Sequence, residues 1–267
     1  MPEGHTIHGI ARDHAKLFAG RELAVSSPQG RFGSASRLDG RVLAEVEAYG
    51  KHLFYRFDVP GPQRVVHVHL GLFGKVATVS EPDPVPPRPT IRLRFVADGG
   101  YADLYGVTTC ALVTEDERDA VIDRLGPDPL RPDADPGDAW RRVSRSRAPI
   151  GGLLMDQSVI AGVGNVYRAE LLYRAGLDPW RAGRTLDEQA WANLWSDAVR
   201  LLSAGLRTGR IITTAPADRD RTGGRVRAQD AHYVYGRTGL PCRRSGRPVT
   251  SAPMLSRTVY WCGRCQR

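Results

Sequence analysis

Cysteine is scarce, long apolar runs are missing and no segment repeats. The four cysteines, Cys110, Cys242, Cys262 and Cys265, are too few for a disulfide framework. Three of them fall in the last twenty-six residues, a pattern that suggests a metal site. No apolar run approaches the roughly 18 residues of a membrane helix. The opening Met1-Pro2-Glu3-Gly4-His5 lacks the basic and apolar regions of a signal peptide. The expectation is a soluble, intracellular protein. Lysine is rare too: Lys16, Lys51 and Lys75 stand among 38 basic residues, the other 35 being arginine. What is present is ordinary globular composition, 41% hydrophobic and 25% charged, which excludes wholesale disorder. At 267 residues the chain sits where single cores begin to split into domains. A net charge of +9 and a pI near 9.8 suit a phosphate-bearing partner, and equally suit a solvated arginine-rich surface.

Periodicity divides the chain. Ile7, Ile10, Ala11, His14, Leu17 and Phe18 recur at helical spacing, which predicts an amphipathic helix over 6–18 with Gly20 as its stop. Alternation follows: Val42 to Ala48, the turn Tyr49-Gly50, then Leu53, Tyr55 and Phe57, then Val66 to Leu70 and Ile91 to Phe95. Short strands without intervening helices predict an antiparallel sandwich or barrel, with residues 81–89 as a Pro-rich connection. Helical signals dominate from 116 to 125 and from Trp140 to about Gly205, broken by Gly151-Gly152 and Gly162-Val163-Gly164. Residues 213–230 read as a mobile loop or linker, and strands are expected near Tyr233–Tyr235 and Thr258–Trp261.

Several residues could carry chemistry. Removal of Met1 would expose Pro2 as a secondary amine, which forms an iminium with a sugar aldehyde and titrates near pH 8. Glu3 could move protons on the sugar oxygen. Taken alone, Met-Pro is a common start and Glu3 a first-turn acid. Lys51, after a hairpin turn, could bind phosphate or serve an elimination; taken alone it is a solvated turn lysine. Gly162-Val163-Gly164-Asn165 fails as a dinucleotide fingerprint, since Tyr167 replaces the third glycine and no strand precedes it. It does offer a glycine-rich helix N-terminus suited to phosphate, and Asn165 could add a contact or cap the helix. The tail pairs Cys242-Arg243-Arg244-Ser245 with Cys262-Gly263-Arg264-Cys265, one ligand short of a four-cysteine zinc site. Either His232 or an acid could complete it, or the hairpin holds no metal. Cys110 reads as a buried strand thiol.

In that order these features resemble the formamidopyrimidine-DNA glycosylase and endonuclease VIII family of base-excision repair enzymes. The matching motifs are Pro2-Glu3-Gly4, Gly50-Lys51, His69-Leu70-Gly71-Leu72-Phe73-Gly74, Leu154-Met155-Asp156, Gly162 to Tyr167, and the tail Val234 to Arg237, Arg257 and Cys262-x-x-Cys265. They span nearly the whole chain. Leu104-Tyr105-Gly106-Val107 stands where purine-specific members carry Arg-Arg-Phe-Gly, so the chain looks closer to endonuclease VIII, of the actinobacterial type.

The resemblance implies an α+β protein of two lobes. An N-terminal antiparallel β-sandwich with a leading helix (1–115) would be followed by a helix–two-turn–helix domain (116–220) and a C-terminal zinc-finger-like β-hairpin (221–267). Damaged DNA, double- or single-stranded, would lie between the lobes with the damaged nucleotide flipped out, bound by a monomer in the cytoplasm at the nucleoid. Pro2 would be the Schiff-base nucleophile and Glu3 the proton shuttle, Lys51 would assist β-elimination and Arg257 δ-elimination. His69, Lys51, Asn165 and Arg257 would contact phosphate, and Leu72 and Phe73 would fill the vacated stack. The expected activity is a bifunctional glycosylase and abasic-site lyase for oxidised pyrimidines; the alternatives are an oxidised-purine glycosylase and a non-catalytic damage-binding protein. Thr6 and His5 stand where the family usually has an acid and Pro. Ser245 replaces one expected zinc ligand beside Cys242, Cys262 and Cys265, so zinc is absent or weakly held. No organic cofactor is expected.

Overall fold

The computed structural model describes residues 2–80, 85–221 and 223–267. It divides into two compact units, Met1–Arg124 and Leu125–Arg267. Among the described residues no helix is long and apolar enough to cross a membrane.

The first unit opens with α1 (Gly4–Phe18), whose Ile7, Ala11, His14 and Phe18 form one buried face. Eight strands follow: β1 (Arg21–Ser26), β2 (Arg41–Tyr49), β3 (His52–Phe57), β4 (Gln63–His69), β5 (Lys75–Ser80), β6 (Ile91–Ala97), β7 (Gly100–Tyr105) and β8 (Thr109–Thr114), with the short helix α2 (Ala35–Leu38) after β1. Their antiparallel order is β5-β7-β6-β1-β2-β3-β4-β8. Strand β1 belongs to both halves: Arg21–Leu23 pair with β2, and Ala24–Ser26 pair with β6. The sheet therefore folds over on itself and buries its inner faces together. Tyr55 and Phe57 of one half meet Phe95 of the other, with ring centroids 5.0 and 5.9 Å apart. This is the expected sandwich with its leading helix. One polar group is built into it: His14, fully buried, shares hydrogen bonds of 2.8 Å with Tyr55 Oη and Thr78 Oγ1. Helix α3 (Glu115–Ile122) ends the unit behind a capping box of Thr114 and Glu117. Of the Pro-rich connection 81–89, Glu81–Pro84 lie outside the described residues.

The second unit contains α4 (Pro136–Val143), α5 (Ile150–Leu153), α6 (Asn165–Ala175) and α7 (Glu188–Thr208), then a hairpin of β9 (Thr250–Met254) and β10 (Arg257–Trp261). Asp135 and Asp187 cap α4 and α7, accepting from Gly137 N and Ala190 N. Tyr167 and Leu171 of α6 pack with Trp191, Leu194 and Leu202 of α7. The other side of α6, Ala169 and Tyr173, shares a smaller core with Tyr233, Cys242, Val249 and Cys262.

Two expectations change here. Residues Tyr233–Tyr235 form no strand. Their three backbone N–H groups instead donate to one carboxylate, that of Glu170, at 2.7 to 2.8 Å. Three bonds to a single anion require a tight curl, which a strand cannot make. The segment 213–230 is anchored rather than a bare linker: Thr213 N donates to Ala231 O, and Thr214 Oγ1 to Asp230 O. Thr213, Thr214 and Asp230 are buried; Thr222 lies outside the described residues.

Candidate active site

Pro2 is half-buried just before α1, and Glu3 takes the N-cap position with no exposed surface. The Glu3 carbonyl accepts from Thr6 N at 2.8 Å, which seats the first turn. A pocket of about 640 Å³ opens beside it, lined by Pro2, by Thr6 and Ile10 of the helix and by Leu72, Phe73 and Lys75 of the loop and strand after β4. That volume is in the range of small-molecule sites. The loop between β4 and β5 is held closed at its base, with Gly74 N donating to Leu70 O at 3.0 Å. Both of its glycines are required. A Cβ on Gly71 (φ +66°) would fall 1.9 Å from Thr108 Oγ1, and one on Gly74 would fall 2.2 Å from Leu70 O. Between them Leu72 is 38% and Phe73 83% exposed, so two apolar side chains are presented to solvent. The β7–β8 connection, Gly106–Thr108, is short, and its Val107 is buried.

Lys51 lies in the two-residue turn that joins β2 to β3, next to Gly50 at φ +57°, with Tyr49 paired to His52. Strand pairing sets His69 opposite His52 and His67 opposite Phe54. Three imidazoles thus gather beside the Lys51 turn. His52 Nδ1 and His67 Nε2 are 2.8 Å apart, and the His52 and His69 ring centroids 4.8 Å. Burial lowers all three, His52 to about 3 and His67 to about 4, with the positive charge of Lys51 adding to the effect on His52 and His69.

In the second unit Gly164 is the N-cap of α6 and Asn165 its first residue, 5% exposed. The Asn165 side chain does not cap the helix. Its Nδ2 donates to Thr258 O at 3.0 Å, and its Oδ1 accepts from Arg168 Nη2, which also donates to Thr258 O at 3.1 Å. These bonds fasten the start of α6 to β10 one residue from Arg257. Arg257 itself is half-buried at the first position of β10.

The sulfur atoms of Cys242, Cys262 and Cys265 lie within 4.8 Å of one another, the one such group of potential metal ligands among the described residues. Cys242 Sγ and Cys265 Sγ are 3.8 Å apart, matching the edge of about 3.8 Å of a tetrahedron with Zn–S bonds of about 2.3 Å. Ser245 Oγ sits 3.2 Å from Cys262 Sγ, beside the three sulfurs. Burial works against the Cys242 thiolate, but bonds from Ser245, Tyr173 and backbone N–H groups outweigh it and bring the thiol down to about 6. Three sulfurs and one hydroxyl thus fit a zinc ion with a weak fourth donor; His232 lies outside the group. Cys110 is half-buried on β8, and burial pushes its thiol up to about 12.

Sequence patterns did not flag three buried polar groups here. Glu170 anchors Tyr233–Tyr235. Arg243, between Cys242 and Ser245, donates to the carbonyls of Asp218, Gln229 and His232 and to the carboxylates of Asp220 and Asp230. The His52–His67 pair lies behind the Lys51 turn. Each follows from contacts distant in sequence, for which local periodicity carries no signal.

The chain resembles known proteins over its whole length. The formamidopyrimidine-DNA glycosylase N-terminal domain matches residues 1–118, and the formamidopyrimidine-DNA glycosylase H2TH domain matches residues 125–217. The chain belongs to the formamidopyrimidine-DNA glycosylase and endonuclease 8 family. It is 49% identical to Endonuclease 8 1 of Mycobacterium tuberculosis over the whole of both chains. It is 31% identical to the formamidopyrimidine-DNA glycosylase of Thermus thermophilus over all of this chain and 98% of the other. The crystal structure of the MutM (Fpg) protein from Thermus thermophilus superposes with a TM-score of 0.78 at 29% identity, covering 99% of this chain and 98% of that one.

Proposed function

We propose that this member of a DNA glycosylase family removes oxidised pyrimidines from DNA and nicks the resulting abasic site by successive β- and δ-elimination. The observation that carries the reading is Pro2 on the wall of a pocket, followed at once by the fully buried carboxyl group of Glu3. A proline exposed by loss of Met1 is a secondary amine whose titration near pH 8 leaves a usable neutral fraction. Its nitrogen attacks C1′ as the bond to the base breaks and the base leaves with a proton. Glu3 delivers a proton to the sugar ring oxygen as the ring opens, and the iminium that results has no N–H to lose. Loss of a C2′ proton expels the 3′-phosphate, served by Lys51, and loss of the C4′ proton expels the 5′-phosphate, served by Arg257. Hydrolysis then frees Pro2. Lys51, His69, Asn165 and Arg257 would hold the flanking phosphates. Leu72 and Phe73 would replace the extruded base in the stack, offsetting the few kcal/mol that flipping costs.

The short β7–β8 connection supports the pyrimidine choice. The stretch Leu104-Tyr105-Gly106-Val107 offers no arginine to read the base opposite the lesion. The full-length likeness to Endonuclease 8 1 agrees with the resemblance to endonuclease VIII on which the pyrimidine choice rests. Base release from duplexes carrying thymine glycol or 8-oxoguanine opposite cytosine tests it: the first substrate is expected to be cleaved, and robust excision of 8-oxoguanine would overturn the pyrimidine assignment.

Zinc, where bound, would be held by Cys242, Cys262 and Cys265 and would cross-link the two turns that carry the β9–β10 hairpin, with no part in the chemistry. With Ser245 as fourth donor it would be held weakly. Elemental analysis after dialysis against a chelator is expected to find well under one zinc per chain, and full retention would contradict this.

A further inference from the structure

The tip of the C-terminal hairpin has an unusual composition. Met254 pairs with Arg257, so the loop between β9 and β10 is only Leu255 and Ser256. Both have positive φ, +49° and +56°, and among the described residues they are the only non-glycine positions that do. A two-residue hairpin with both central residues left-handed is the natural place for Asn-Gly, because a branched side chain there is crowded against its own backbone. Leucine is a poor choice for the turn itself. It does not fill a core either, since Leu255 is 67% exposed. One side of its isobutyl group rests over α5, where a Cβ added to Gly152 would fall 3.2 Å from Leu255 Cδ1. The opposite side faces solvent. Strained backbone that presents an apolar group outward is characteristic of a binding position.

The surroundings indicate what it meets. Arg257 is two residues on, and β10 is fastened at Thr258 O to Asn165 and Arg168 at the start of α6. The tip is therefore followed at once by a cation, on a strand fastened to the start of a helix, and a cation near a helix N-terminus suits a phosphate. We propose that Leu255 is a DNA-contacting residue, packing against the apolar face of the sugar or base next to the phosphate that Arg257 and Asn165 hold. This rests on the damaged-DNA reading above and adds a specific contact to it. The contact lets an otherwise phosphate-directed hairpin register the shape of the nucleotide, and the leucine is retained at the expense of an easier turn.

Two variants of the full chain separate contact from architecture. Leu255→Ala removes the apolar group. Leu255→Asn with Ser256→Gly installs the favoured turn sequence and also removes it. Melting temperature and affinity for a duplex bearing an uncleavable tetrahydrofuran abasic analogue are the readouts. The double variant is expected to melt at or above wild type yet bind about tenfold more weakly, with a similar loss for Leu255→Ala. Unchanged affinity in either variant would overturn the contact. A double variant melting well below wild type would also overturn it, since Leu255 and Ser256 would then be holding the hairpin. Wild-type chain that binds the analogue but forms no borohydride-trapped adduct on abasic DNA would overturn the catalytic reading, while weakened binding by the variants would still support the Leu255 contact.

Discussion

Glu3 and the histidines show how much of this protein's polar chemistry is kept away from water. Four imidazoles, His5, His14, His52 and His67, are lowered to about 4, 4, 3 and 4, in each case chiefly by burial. They are neutral in the folded chain, whereas in the unfolded chain each takes up a proton near its ordinary value of 6.5. Between those limits the unfolded state binds more protons, so stability is fully present above about pH 6.5 and is lost as pH falls toward about 4. Thermal unfolding followed across pH should show a midpoint that is flat from about pH 8 to 7 and drops below about 6.5. A midpoint unchanged down to about pH 4.5 would mean that these rings are protonated in the folded protein after all.

Helix α6 ties together several parts of the second unit. Within eleven residues it supplies Asn165 and Arg168 to β10, Glu170 to the backbone of Tyr233–Tyr235, and Tyr173 to Cys242. Glu170→Gln replaces a carboxylate that accepts four bonds, one of them from Thr213 Oγ1, with an amide whose NH₂ faces donors. The expected loss is about 2–4 kcal/mol in urea unfolding, with the C-terminal hairpin loosened first. A loss under about 0.5 kcal/mol would show that the carboxylate is not the anchor. This same element marks the limit of local reading. The Gly162–Asn165 motif was legible as a helix start. Tyr233–Tyr235 was misread as a strand because alternating aromatic and β-branched residues look the same whether their N–H groups serve a neighbouring strand or a carboxylate 63 residues away in sequence. Strands β2, β3, β4 and β6 were legible because apolar residues alternate along them in sequence, whereas β1, β5, β7 and β8 were not. The division of β1 between two sheets was not, since no side chain marks the switch.

On the scale of the whole molecule, the candidate residues fall into separate sets. Pro2, Glu3, Lys51, His69, Leu72 and Phe73 belong to the first unit; Asn165, Arg257, Cys242, Cys262 and Cys265 belong to the second. The motif order that identifies the family was visible in the chain, and so were these residue types. The burial of Glu3, the stacked histidines beside Lys51 and the arginine clamp at Arg243 depend on tertiary packing and were not. A net charge of +9, carried mostly by arginine, suits long-range attraction to DNA in general but leaves the reaction to the few residues at the N-terminus. The N-terminal Schiff base is therefore the central claim, and borohydride trapping on an abasic-site duplex tests it most directly. A covalent protein–DNA adduct on a denaturing gel is expected from wild-type chain lacking Met1, and none from Pro2→Thr. Tight binding of that duplex with no trapped adduct, or an adduct that persists in Pro2→Thr, would contradict it.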